Sequence, residues 1–165
     1  MPEKINYTIQ LERYTSLEEL PKDYQQLVIK AREASRNAYA PYSSFYVGAA
    51  VQLETGEIIL GNNQENAAYP SGMCAERSAM YWIGGNRPGQ KIKAIAVVAN
   101  NQQKHEFVAI SPCGACRQAL LEYEHKQEQA IAMIMETENH GFLVVDSIRS
   151  LLPVTFDQES LLGDE

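Results

Sequence analysis

The chain has 165 residues, 45% of them hydrophobic, which suits one soluble domain, residues 1–165, with a core that needs no disulfide staples. Asp and Glu outnumber Lys and Arg by 21 to 14, for a formal charge of −7, and no basic tract stands out. That balance argues against nucleic acid, whose phosphates demand a basic footprint, and favours a small neutral ligand. No apolar run approaches a membrane span, and MPEKINYTIQ lacks the apolar core of a signal peptide, so the expected location is the cytoplasm, with no membrane partner.

Residues 1–15 have no firm periodicity and are expected to form a partly ordered N-terminal arm, packed on the domain or on a neighbouring subunit. The first helix is expected near Pro21, a residue tolerated at a first helical position. Ser16 and Glu19 have capping-box spacing, which allows a separate opening turn. Leu20, Tyr24, Leu27, Val28, Ala31 and Ala38 recur at helical intervals and give one buried face, ending before Pro41. Phe45–Leu53 and Glu57–Leu60 read as a hairpin turned by Glu54-Thr55-Gly56, and the second strand runs into Asn62 and Asn63.

A helix is predicted over about Met73–Gly84, stopped by Gly84-Gly85-Asn86-Arg87-Pro88-Gly89. Ile92–Ala99 is apolar enough for a central strand, parallel to a neighbour. NNQQKHEF follows as a solvated turn, then a helix over Ala115–Tyr123, strands over Ala130–Met135 and Gly141–Val145, and short helices over Ser147–Leu151 and Gln158–Leu162. The pattern predicts an α/β fold with helices on the faces of a sheet.

The three cysteines carry the chemical signal. Cys74 is followed by Ala75 and Glu76, and Cys113 and Cys116 stand in Pro112-Cys113-Gly114-Ala115-Cys116. An odd number of cysteines without an export signal does not suggest a disulfide framework. Cys113 and Cys116, three apart, share one side of a helix's first turn. Cys74 opens another helix, and two helix N-termini aimed at one spot favour thiolates. Three thiolates leave a fourth position open on a tetrahedral zinc, the mark of a catalytic site. Two other readings remain: a structural zinc completed by His105, and a Cys113–Cys116 redox pair, which leaves Cys74 and Glu76 without a role. Glu76 tips the balance, because a carboxylate two positions beyond a ligand can take a proton from water at the open position and pass it on.

At these residues the chain resembles the small cytidine deaminases of pyrimidine salvage, of the kind with three cysteine ligands. The resemblance rests on APYSSFYVGAAV (Ala40–Val51), GNNQENAAYPSGMCAERSA (Gly61–Ala79), AIAVVA (Ala94–Ala99), ISPCGACRQ (Ile110–Gln118) and LLPVTF (Leu151–Phe156). It implies a three-layer α/β/α sandwich around a mixed, approximately five-stranded sheet. It also implies one Zn2+ per subunit on Cys74, Cys113 and Cys116, with Glu76 as the catalytic proton carrier. Cytidine and deoxycytidine would be hydrolysed to uridine and deoxyuridine with release of ammonia.

By the same resemblance, Asn63 and Glu65 would bind the ribose hydroxyls and Phe45 would pack near the pyrimidine. The backbone at Ala75 and Ser111 would meet the base edge. A homotetramer with shared active sites is implied, with Phe156 reaching a neighbour's site and Tyr69 at a subunit contact. Arg77, adjacent to Glu76, would bond the ligand sulfurs and withdraw part of their negative charge. The competing enzyme reading is a zinc deaminase of a related nucleobase or nucleoside; the competing reading outside enzymes is a structural zinc-binding module. The chain departs from the family pattern at Gln64, where an apolar residue is common, and in its N-terminal arm.

Overall fold

The computed structural model describes residues 2–101 and 106–162. Along the chain the elements are β1 (Glu12–Tyr14), α1 (Lys22–Ser35), β2 (Phe45–Leu53), β3 (Ile58–Asn62), α2 (Ala75–Asn86), β4 (Ile92–Asn101), β5 (Glu106–Val108), α3 (Gly114–Gln127), β6 (Ala132–Glu136), β7 (Phe142–Val145) and α4 (Gln158–Leu162). One mixed sheet runs β1-β7-β6-β4-β2-β3, with β5 paired to β4. β4 is its spine: antiparallel to β2 over Phe45–Leu53 and parallel to β6 over Ala132–Met135.

β4 is apolar nearly throughout because both of its faces are covered. Ala94, Ala96 and Val98 face Leu27, Val28 and Ala31 of α1, in a layer that also holds Ile134, Phe142 and Val144. Ile95, Val97 and Ala99 face the other way, against Ala75, Ala79, Met80 and Ile83 of α2 and Leu120 and Leu121 of α3. The three layers are therefore α1, the sheet, and α2 with α3. The helices come close where side chains are missing. A Cβ on Gly48 of β2 would collide with the Ala31 carbonyl and the Ser35 amide of α1.

Among the described residues the five expected strands are present, and β1 and β5 extend the sheet to seven. Each is three residues long, too short for an alternating pattern to register in the sequence. The arm is thus unpaired only as far as Leu11 before it enters the sheet along β7. Helix ends and one cap also differ. α2 continues through Gly84 and Gly85 to Asn86, since Gly84 faces the Tyr123 hydroxyl of α3, which a Cβ would strike. That glycine serves close packing and does not end the helix. The opening turn forms over Leu17–Glu19, but Glu19 accepts from the Thr15 amide at 2.7 Å and the Thr15 hydroxyl at 2.9 Å, while Ser16 makes no side-chain cap. α3 outlasts its expected end at Tyr123 by about a turn, and the turn expected between Asn100 and Glu106 lies largely outside the described residues.

Candidate active site

Two helix N-termini meet at one end of the α2–α3 layer. Cys74 is the extended residue immediately before α2 (φ −73°, ψ 152°), and Cys113 occupies the same place before α3 (φ −65°, ψ 164°). Cys116 follows one turn into α3 and is fully buried. Cys74 is held from both sides. Its carbonyl accepts from the Ser78 amide at 3.0 Å, and the preceding residue, Met73, exchanges paired backbone bonds of 2.9 Å with Gln64. Residues 64–73 are therefore a closed excursion that returns the chain to the cysteine. The second ligand segment is pinned by the Ile110 amide on the Glu136 carbonyl at 2.9 Å. Arg117 fastens it further, donating to the carbonyls of Pro112 (2.9 Å) and Leu151 (3.2 Å), so this guanidinium serves the loop and not the sulfurs.

The three sulfurs lie within 4.8 Å of one another, and those of Cys74 and Cys113 are 4.0 Å apart. Tetrahedral zinc with Zn–S bonds of about 2.3 Å sets neighbouring sulfurs about 3.8 Å apart, so the spacing fits the ion. All three thiols are free. Among the described residues no histidine or carboxylate joins the group, and His105 lies outside them. Among the described residues, a tetrahedral ion on the three sulfurs would keep one position open.

The electrostatics show what a cation does here. The Cys74 thiol is lowered to about 5, first by its hydrogen bond with Cys116 and then by Arg77, against the opposing penalty of burial. Cys116 is pushed up by the same bond, by burial and by Glu76. Three adjacent thiols cannot all ionise by themselves. Arg77 Nη2 donates to Cys74 Sγ at 3.4 Å and its Nε is buried without a partner, so a cationic side chain already leans on the sulfurs.

Glu76, in the first turn of α2, is 4% exposed and lines the pocket beside the cluster. Burial above all holds its carboxyl above the usual carboxylate range, with the Cys74 sulfur adding to the shift. A carboxyl poised in this way suits a group that both takes and gives a proton.

The pocket has a volume of about 780 Å3, a size suited to a small molecule. Phe45, Asn63, Glu65, Cys74, Ala75, Glu76, Arg77, Ser111 and Cys113 all line it. Phe156 does not: it is 58% exposed, with its carbonyl bonded to Gln118 Nε2 at 2.7 Å. The sequence alone had not singled out Tyr42 and Ser43 of the wall. Tyr42 stands edge to face with Tyr69, with ring centres 6.4 Å apart. Their signals were the polar run Tyr42-Ser43-Ser44 set against the start of a buried strand and their place in the Ala40–Val51 stretch that carries the resemblance. The Asn63 amide is already engaged, accepting from the Val47 amide at 2.7 Å and donating to the Phe45 carbonyl at 2.9 Å. One of its two N–H hydrogens remains free.

A sheet flanked by helices whose N-termini gather three thiols and a buried carboxyl defines the zinc-dependent deaminases as a class. Residues 21–133 match the family of the cytidine and deoxycytidylate deaminase zinc-binding region. The chain is 36% identical to a cytidine deaminase of Sporosarcina psychrophila over 84% of its own length and 95% of that protein's. It is 43% identical to one from Halalkalibacterium halodurans over 61% and 71%. Among solved structures, the cytidine deaminase of Burkholderia pseudomallei superposes with a TM-score of 0.68 at 37% identity, covering 81% of this chain and 98% of that one. The chain belongs to the cytidine and deoxycytidylate deaminase family, and zinc is its metal.

Proposed function

We propose that this chain hydrolyses cytidine and deoxycytidine to uridine and deoxyuridine with release of ammonia, as a step of pyrimidine salvage. The observation that carries the reading is the buried Glu76 carboxyl in a pocket wall shared with Cys74 and Cys113, two of the three clustered thiols. Zinc on Cys74, Cys113 and Cys116 supplies, when bound, the Lewis acidity that makes water a nucleophile near neutral pH.

The chain's own residues do the rest. Glu76 takes a proton from the attacking water and delivers it to N3 of the pyrimidine, which leaves C4 open to attack. It then carries the second proton to the departing amino group, so one carboxyl serves as base and as acid. The Ser111 carbonyl accepts from that amino group, the Ala75 backbone meets the base edge and Phe45 packs on the ring. Asn63, through its free N–H, and Glu65 hold the sugar hydroxyls. Arg77 draws charge from Cys74 and so keeps the sulfurs from quenching the metal's acidity.

We read residues 1–165 as one domain acting in a homotetramer, in the cytoplasm, where ligand thiols stay reduced. The reading of shared sites is supported by Val154 and Phe156, 77% and 58% exposed and outside the lining of their own chain's pocket. The test of function is ammonia release from cytidine, deoxycytidine, cytosine, adenosine and cytidine monophosphate by a preparation of known zinc content. Turnover of the first two at one zinc per chain is expected. Zinc-replete protein that deaminates no nucleoside would overturn the proposal.

A further inference from the structure

Glu65 reaches the pocket from a loop beyond β3, and a loop carboxylate has a broad terminal torsion that leaves its oxygens free to swing. Here three donors hold it. Oε2 accepts from the Tyr42 amide at 2.9 Å and the Ser43 amide at 3.3 Å, and Oε1 accepts from the Ser43 hydroxyl. The direction of that hydroxyl is itself decided. Ser43 Oγ accepts from the Phe45 amide at 3.1 Å, so its one hydrogen is left for Glu65. The turn that permits this passes through Ser44, a non-glycine residue at φ 54°, in the sparsely occupied left-handed region. The two loops are also tied by backbone, the Tyr39 amide donating to the Asn63 carbonyl at 3.0 Å and the Glu65 amide to the Tyr39 carbonyl at 2.8 Å.

We infer that Ser43 is a positioning residue for substrate recognition: its hydroxyl locks the Glu65 carboxylate in the one orientation that presents Oε1 to the sugar. This rests on the reading that Glu65 binds a sugar hydroxyl. A carboxylate has about four acceptor positions, and three are filled by the loop. Both positions on Oε2 are taken by amides, and one on Oε1 by the serine. The single open position lies on the oxygen that Ser43 orients. Without the serine hydroxyl, the remaining donors both grip Oε2 and nothing fixes Oε1. The same bonds hold the carboxyl below the usual carboxylate range, the Ser43 hydroxyl first and the Tyr42 amide next, so it is ionised and accepting.

The test compares Ser43→Ala, Ser43→Thr, Glu65→Gln and the double variant Ser43→Ala/Glu65→Gln at equal zinc content. KM and kcat are measured for cytidine, and competitive inhibition for 1-methylcytosine, which has the base and no sugar. The expected result is a rise of roughly tenfold in cytidine KM for Ser43→Ala, the size of one hydrogen bond to a charged group. That change should fall in KM more than in kcat, be restored by Thr, and add little once Glu65 is Gln. Inhibition by 1-methylcytosine should be the same in all four variants.

A Ser43→Ala enzyme with unaltered KM, beside a Glu65→Gln enzyme with raised KM, overturns the role of Ser43 and leaves the sugar contact standing. An unaltered KM in Glu65→Gln overturns the sugar contact, and the role of Ser43 with it. Weakened 1-methylcytosine inhibition in Ser43→Ala reduces the serine to a general prop of the pocket and overturns the inference.

Discussion

Three thiolates on one zinc would sum to a charge of minus one, and the proposed role of Arg77 is to offset it. Its Nη2 lies 3.4 Å from Cys74 Sγ and its Nε is buried with no other partner. Arg77→Gln removes that offset while leaving all three ligands, and zinc affinity measured by chelator competition should fall about 10- to 100-fold. Glu136 faces the opposite layer, 2.5 Å from Arg32, whose guanidinium also lies 4.7 Å above the Phe107 ring. Burial, opposed by Arg32, holds the Glu136 carboxyl above the usual carboxylate range. The folded chain therefore keeps that proton to higher pH than the unfolded chain. The stability this contributes is present in full below the ordinary carboxyl value and is lost as pH rises through the native one. Glu136→Gln cannot ionise, so in urea unfolding its stability relative to wild type should climb as pH rises from about 4.

At the scale of elements, the site depends on how closely α2 lies against β3. Gly61 is the contact: a Cβ there would fall 2.8 Å from the Ala79 amide and closer still to the Ala75 carbonyl. Gly61→Ala should lower stability by about 1–3 kcal/mol. It should also lower kcat, because the displaced helix start carries both Cys74 and Glu76. Denaturant melts and zinc-normalised rates would separate the two effects.

The sequence revealed this architecture unevenly. The hairpin, the central strand and the ligand-bearing helix starts were legible because alternation, apolar runs and cysteine spacing are local signals. Gly84 was misread because a glycine that ends a helix and one that admits Tyr123 look alike until the partner helix is in place. β1 and β5 are strands only by virtue of their neighbours. Ser43 escaped notice for a similar reason: its partner, Glu65, is 22 residues away.

At the scale of the whole molecule, much apolar surface stands exposed beyond the core. Ile5, Tyr7, Ile9 and Leu11 on the arm, and Val154, Phe156, Leu161 and Leu162 on the C-terminal segment, are all exposed large hydrophobic residues. Together with Tyr69 at the pocket rim, they are what a self-assembling chain would cover. Light scattering should give four times the chain mass of 18.5 kDa, and a monomer at working concentration would remove the shared-site reading. Among the described residues no helix is long and apolar enough to cross a membrane.

Proton movement by Glu76 beside a zinc held by Cys74, Cys113 and Cys116 carries the proposed function. Its most direct test is the turnover of cytidine by Glu76→Gln, with zinc counted in the same sample. One zinc per chain is expected, as in wild type, with kcat lower by about 10^2- to 10^4-fold. Zinc retained with turnover close to wild type would contradict it.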